Sequence, residues 1–302
     1  MSLGRENMRF LRWVGGAPPG WAGRGCREKT TMTREFERQR LWSWSGGGLP
    51  GMDIHIGIWR ALDAHGYSST ENAGTSAGAL VAALDSAGYT AQQAEQIVRG
   101  LDDRDVRKEL FAWKLRIPFI DHWLSHRPVR SLLERYLPKS FDSLLKPLSV
   151  FATDEQTARE VELHRGDLHQ ALLASISIPG VFPAVRHVIA PDGYHRLLSD
   201  GGTTANVPLL LHWRKVREIT LLVAKRPIEF RDGNIISRLI RNMDFCAEDQ
   251  VNDVCELVAR RHQNARILRP AVGSAASCLH FDHELIDKAF AWTCRRLEGR
   301  DG

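Results

Sequence analysis

The stretch Gly74-Thr75-Ser76-Ala77-Gly78 constrains what this chain can fold into more than any other. A strand is expected to run into it. A helix is expected to leave it through Ala77-Gly78-Ala79-Leu80-Val81-Ala82-Ala83-Leu84. A serine at such a junction occupies the apex of a sharp, strained turn, and its Oγ is pushed clear of the backbone. The flanking glycines carry no Cβ, so the turn can close and the strand and helix can pass near each other. The spacing alone is a weak signal. It gains weight from a second glycine turn upstream, Gly46-Gly47-Gly48-Leu49-Pro50-Gly51, and from Asp200-Gly201-Gly202 downstream.

Around these turns the chain alternates strands and helices. Arg40 to Ser45 reads as a strand with Trp42 and Trp44 on one face, and Ile54 to Gly66 as a helix with Ile54, Ile58, Ala61 and Leu62 on one side. Ser68 to Ala73 is the expected strand before the serine, although Ser-Ser-Thr-Glu-Asn-Ala is poor sequence for a buried parallel strand. A helix over Thr90 to Arg99 follows. Strand, helix, strand, helix in succession predicts an α/β layered fold with right-handed crossovers. Further on, helices are expected over 129–137, 168–175, 235–261 and 284–297. Strands are expected over 148–153, 160–164, 185–189, 196–199 and 219–224. Between Leu101 and Arg127, Trp113 and Trp123 stand among other apolar residues interleaved with bases. That segment reads as a cap packed on the core, as a cover over an apolar pocket, or as both.

Composition narrows the function classes. Of the 302 residues, 43% are hydrophobic, enough for one large core. The net charge of +5 resides in the first forty residues, which hold nine bases and four acids; the remainder balances at 32 of each. The basic balance therefore belongs to a leader over 1–38, expected to be disordered, and gives no support to nucleic-acid binding. Five scattered cysteines (Cys26, Cys246, Cys255, Cys278, Cys294) form no metal-binding or disulfide pattern and suit a reducing compartment. No apolar run reaches membrane-spanning length.

A serine hydroxyl needs a base within hydrogen-bond reach to attack a carbonyl. Two designs are open. In a triad, a histidine such as His262, His280 or His283 takes the proton and an acid orients it. In a dyad, a carboxylate takes it directly, and Asp200, at the end of a strand and ahead of two glycines, is placed for that. Gly46, Gly47 and Gly48 can bring backbone N–H groups close to a developing oxyanion, whereas Pro50 has no N–H to give. A competing reading exists: Gly46-x-Gly48-x-x-Gly51 is literally a dinucleotide fingerprint, with Glu71 twenty residues beyond Gly51.

Taken together, the three glycine-containing turns make the chain resemble the patatin-like phospholipases. Gly46 to Gly51 is similar to that family's G-G-G-x-[RK]-G turn, Gly74 to Gly78 to its G-x-S-x-G, and Asp200-Gly201-Gly202 to its D-G-[GA]. Ala152-Thr153-Asp154 with Ala158-Arg159-Glu160-Val161, and Ala174 to Pro183, extend the likeness over roughly 40–225. The resemblance implies a single three-layer α/β/α domain over 39–302 with a mostly parallel central sheet. It implies a lipid acyl hydrolase that cleaves carboxylic esters with Ser76 as nucleophile and Asp200 as general base. Gly46, Gly47 and Gly48 would line the oxyanion hole, with Gly51, Gly74, Gly78, Gly201 and Gly202 as the remaining motif positions. Neither cofactor nor metal is implied. The expected partner is lipid at a membrane or micelle surface, and the expected setting is the cytoplasm or the membrane periphery. The family's basic residue falls on Pro50, which leaves the headgroup open. A non-catalytic or regulatory member of the same fold is the alternative.

Overall fold

The computed structural model describes residues 39–101, 125–189, 193–224, 235–272 and 280–300. The sequence-expected leader and most of the apolar segment with Trp113 and Trp123 lie outside the described residues. The elements run β1 (Arg40–Trp44), α1 (Gly48–Ala64), β2 (Glu71–Thr75), α2 (Ala77–Ser86), α3 (Ala91–Arg99) and α4 (Arg127–Tyr136). Next come β3 (Leu148–Asp154), β4 (Arg159–Leu163), α5 (Leu168–Ser175), β5 (Val185–Ile189) and β6 (His195–Asp200). The chain closes with β7 (Glu218–Leu222), α6 (Ile235–Arg261), β8 (Ala265–Leu268) and α7 (Glu284–Leu297).

The eight strands form one sheet in the order β5-β6-β3-β2-β1-β7-β8, with β4 also on β3. The five strands from β3 to β8 are mutually parallel, and β4, β5 and β6 join antiparallel. This is the expected α/β architecture with a mostly parallel sheet. Alternation along β1 sorts the core into two layers. Trp42 and Trp44 enter the larger one, among residues of α1, α2, α3 and α7. Leu41 enters the other with Trp213, Val251 and Val258. Trp44 meets Trp42, His55 and Trp59 edge-on at ring-centroid distances of 5.6, 5.6 and 6.0 Å, a favoured arrangement of aromatic quadrupoles.

Three elements differ from the sequence expectation. The strand before the serine is Glu71–Thr75, so Ser68 to Thr70 precede it. It is buried along its whole length despite its polarity, because Asn72 is satisfied by side chains. Asn72 Oδ1 accepts from Trp44 Nε1 at 2.9 Å, and Nδ2 donates to Asp85 Oδ2 at 2.7 Å and Ser86 Oγ at 2.9 Å. Buried polar groups are tolerated when paired in this way. Asp85 is further held by Ser69 Oγ at 2.5 Å and by Lys146 Nζ at 2.7 Å. The second difference is helix α1, which begins at Gly48 rather than Ile54. Gly48 and Pro50 are harmless there, because first-turn N–H groups have no helical acceptor in any case. The third is the short edge strand β8, which adds to β7 in parallel.

One feature of β3 places the site. Val150 and Phe151 pair with both β2 and β4, so those two strands lie on opposite edges of β3. Residues 152–154 pair with both β4 and β6, so β6 shares the edge occupied by β2. β2 runs parallel to β3 and stops at Thr75, opposite Phe151; β6 arrives antiparallel and stops at Asp200, opposite Ala152. The two strands meet head to head, and the residues at the junction are Ser76 and Asp200.

Candidate active site

Ser76 occupies the apex between β2 and α2 with φ 52° and ψ −124°, in the left-handed range that non-glycine residues avoid. The turn is over-determined by its surroundings. A Cβ on Gly78 would lie 2.3 Å from Ser45 O and 2.6 Å from Trp44 O, and one on Gly74 would lie 2.6 Å from Ala79 Cα. Only glycine lets the first turn of α2 cross the ends of β1 and β2 this closely. The Ser76 N–H donates to Ser175 Oγ at 2.8 Å, and Ser175 Oγ donates onward to Phe151 O at 2.6 Å. The strained turn is thus tied to β3 through α5.

Asp200 is buried, and its two oxygens are differently engaged. Oδ2 accepts from Ser76 Oγ at 2.7 Å, and Oδ1 accepts from the Gly202 N–H at 2.7 Å. Its backbone is fixed as well: its N–H donates to Ser177 O at 2.8 Å, and its carbonyl accepts from Thr153 Oγ1 at 2.8 Å. Gly201 begins a one-turn 3-10 helix, Gly201–Thr203, that directs the chain back toward the Gly46 turn. There Thr75 Oγ1 donates to Ala205 O at 2.7 Å.

The three upstream glycines differ in what they can offer. The Gly46 N–H donates to Asn206 O at 3.0 Å, so Gly46 lines the space without a free donor. Among the described residues the N–H groups of Gly47 and Gly48 have no acceptor, as expected at the start of α1. Gly51 donates to Gly47 O at 3.2 Å and closes the turn. The N-termini of α1 and of α2 both lie at Ser76, and each presents the positive end of a helix dipole. Beneath them His55, fully buried, donates from Nε2 to Ser45 O at 2.8 Å; burial lowers its pKa from 6.5 to about 4, so the ring is neutral. Pro50 is buried in the first turn of α1, where the resemblance had a cation.

Ser76 opens into a cleft of about 920 Å³ including its mouth. Its walls come from α1 to α4 and from the loop after α5, with Leu80, Leu84, Ile97, Leu133, Ile178 and Phe182 among them. Apart from Ser76 and Tyr136, the lining residues carry no polar side chain.

The rival sequence readings place their residues elsewhere. His262 Nε2 lies 3.0 Å from Val216 O, and His283 Nδ1 lies 2.9 Å from Asp53 Oδ1, while Ser76 Oγ donates straight to a carboxylate. A dinucleotide site needs its acidic residue at the C-terminal end of the second strand. Glu71 starts β2, at the opposite end from Ser76, and is bonded to His212 at 2.9 Å. Ser175, Asn206 and His55 touch the site or its supports, and none carries a spacing signal that singles it out in the sequence.

Comparison with known proteins agrees with the glycine turns. Residues 43–213 match the family described as patatin-like phospholipase. An uncharacterized NTE family protein of Mycobacterium tuberculosis is 32% identical over 166 residues, which are 54% of this chain and 42% of that one. The uncharacterized protein YqhO of Bacillus subtilis is 24% identical over 214 residues, 62% of this chain and 71% of its own length. Among solved structures, VipD from Legionella pneumophila aligns with a TM-score of 0.48 at 14% identity, covering 88% of this chain and 67% of that one. The chain spans less than half the length of the mycobacterial relatives it matches.

Proposed function

The chain belongs to the patatin-like phospholipase family, and from that premise we propose that it is a serine hydrolase that cleaves carboxylic esters of lipids through Ser76 and Asp200. The single observation that carries the reading is the 2.7 Å hydrogen bond from Ser76 Oγ to Asp200 Oδ2 at the mouth of an apolar cleft. As Ser76 Oγ attacks the acyl carbonyl, its proton passes to Asp200 Oδ2. The oxyanion that forms is held by the N–H groups of Gly47 and Gly48 and by the positive ends of two helices. Collapse of the tetrahedral species expels the alcohol, which takes the proton from Asp200 and leaves an acyl-serine. Water then attacks the acyl-serine and gives its proton to Asp200, and collapse of the second tetrahedral species releases the acid and returns that proton to Ser76 Oγ.

The acyl chain occupies the cleft, where each buried CH₂ contributes about 0.8 kcal/mol. Pro50 supplies no charge for a phosphate, so the proposal extends to lipid esters and not to one headgroup. Lipid presented at a membrane or micelle surface is the natural form of such a substrate. Among the described residues no helix is long and apolar enough to cross a membrane.

The test is ester hydrolysis by Ser76→Ala, Asp200→Asn and the double variant. Each single change should abolish turnover, and the double should be no worse than either, because the pair acts as a unit. Full activity in Asp200→Asn would move the base to another residue.

A further inference from the structure

The glycine turn offers two free backbone donors, the N–H groups of Gly47 and Gly48, since the Gly46 N–H is held by Asn206 O at 3.0 Å and Pro50 has no N–H. We propose that the third donor is the side-chain amide of Asn206. This rests on the acyl-hydrolase reading above and assigns a further catalytic residue to the same site.

The space over Gly46 carries the inference. A Cβ built on Gly46 would lie 3.1 Å from Asn206 Nδ2 and 3.6 Å from Ser76 Cβ. The amide and the serine therefore converge on the same face of Gly46, and with no Cβ on that glycine nothing of residue 46 stands between them. An acyl oxygen carried by Ser76 that reaches over this face of Gly46 approaches Nδ2, whose N–H groups can donate to it. Asn206 is half-buried, and among the described residues its carboxamide has no hydrogen-bond partner. A half-buried amide facing a reactive pair with its donors unused is suited to an acceptor that arrives with the substrate.

The side chain is not needed to hold its own loop. Backbone carbonyls do that: Ala205 O accepts from Thr75 Oγ1, and Asn206 O accepts from the Gly46 N–H. Substitution at Asn206 leaves both bonds intact. The rival role is orientation of the carboxylate. A Cβ on Gly202 would lie 2.9 Å from Asp200 Oδ1 and 3.4 Å from Asn206 Nδ2, so the amide is also near that oxygen. A donor to the substrate oxygen and a positioner of Asp200 give different kinetics.

The experiment measures kcat and KM of the full chain and of Asn206→Ala, Asn206→Asp and Ser76→Ala on an acyl ester and on its thionoester. Sulfur accepts hydrogen bonds poorly, so an intact oxyanion hole favours the oxo substrate. Loss of one such donor lowers kcat by about 10²–10³. Asn206→Ala should show that loss with KM nearly unchanged and with most of the oxo preference gone. Asn206→Asp, which keeps the shape and removes the donor, should lose at least as much. Retained kcat in Asn206→Ala overturns the inference. So does a fall in kcat that leaves the oxo preference intact and moves the acid limb of the pH profile, since that identifies a positioner of Asp200. If Asn206→Ala does not fold, the same two readouts on Asn206→Asp decide. Hydrolysis that is equal in the unmodified chain and in Ser76→Ala removes the acyl-hydrolase reading itself, which is a distinct failure.

Discussion

His55 makes the stability of this fold depend on pH in a calculable way. Its ring is fully buried against Trp44, with Nε2–H donating to Ser45 O and Nδ1 without a partner among the described residues. Protonation would place a charge where nothing accepts its hydrogen, and burial accordingly lowers the pKa from 6.5 to about 4. In the unfolded chain the ring titrates normally. Between these two values the unfolded state binds more protons, so stability rises with pH across that window. The contribution is complete above pH 6.5 and is lost as pH falls to 4, amounting to about 3 kcal/mol in all and about 2 kcal/mol between pH 7 and 5. Urea unfolding at pH 7 and pH 5 should be measured for the unmodified chain and for His55→Gln, which keeps a donor but does not titrate. Other titrations are common to both proteins and cancel in the difference. The unmodified chain should lose about 2 kcal/mol more than the variant on going to pH 5. Parallel losses in the two proteins would refute the reasoning, because they would mean that the folded state accepts the imidazolium.

Two further outcomes follow from the packing. Leu84→Trp, inside the cleft, should shorten the acyl chain accepted: turnover of long esters falls while short esters are spared, and the rise of kcat/KM of about fourfold per CH₂ should stop earlier than in the unmodified chain. Equal losses at every chain length would place the acyl group elsewhere. Asn72→Leu should cost about 1–3 kcal/mol in chemical denaturation, since it leaves the indole of Trp44 and the carboxylate of Asp85 short of partners; an unchanged midpoint would show that the network contributes nothing.

What the sequence discloses here is local. The elbow at Ser76, the Gly46 turn and the acid turn at Asp200 are legible because each needs particular residues at adjacent positions. The α/β order is legible from periodicity. The polar strand β2 is opaque for the opposite reason: Asn72 is accommodated by Trp44, Asp85 and Ser86, 13 to 28 residues away, and no local pattern announces that pairing. The start of α1 is obscured by Gly48 and Pro50, which propensity counts against a helix although the first turn tolerates both. Ser76 and Asp200 lie 124 residues apart, and what joins them is the head-to-head meeting of β2 and β6 on one edge of β3. Asn206 is hidden for a related reason, since its place over Gly46 depends on the return of the loop after Gly201–Thr203.

The central claim is that Ser76 is a nucleophile activated by Asp200. The most direct measurement is the rate of covalent labelling by a fluorophosphonate, with the modified residue located by peptide mass spectrometry. The account predicts one adduct, on Ser76, formed rapidly by the unmodified chain, absent in Ser76→Ala and strongly slowed in Asp200→Asn. An adduct on another residue, or labelling of Ser76 at an undiminished rate in Asp200→Asn, would contradict it.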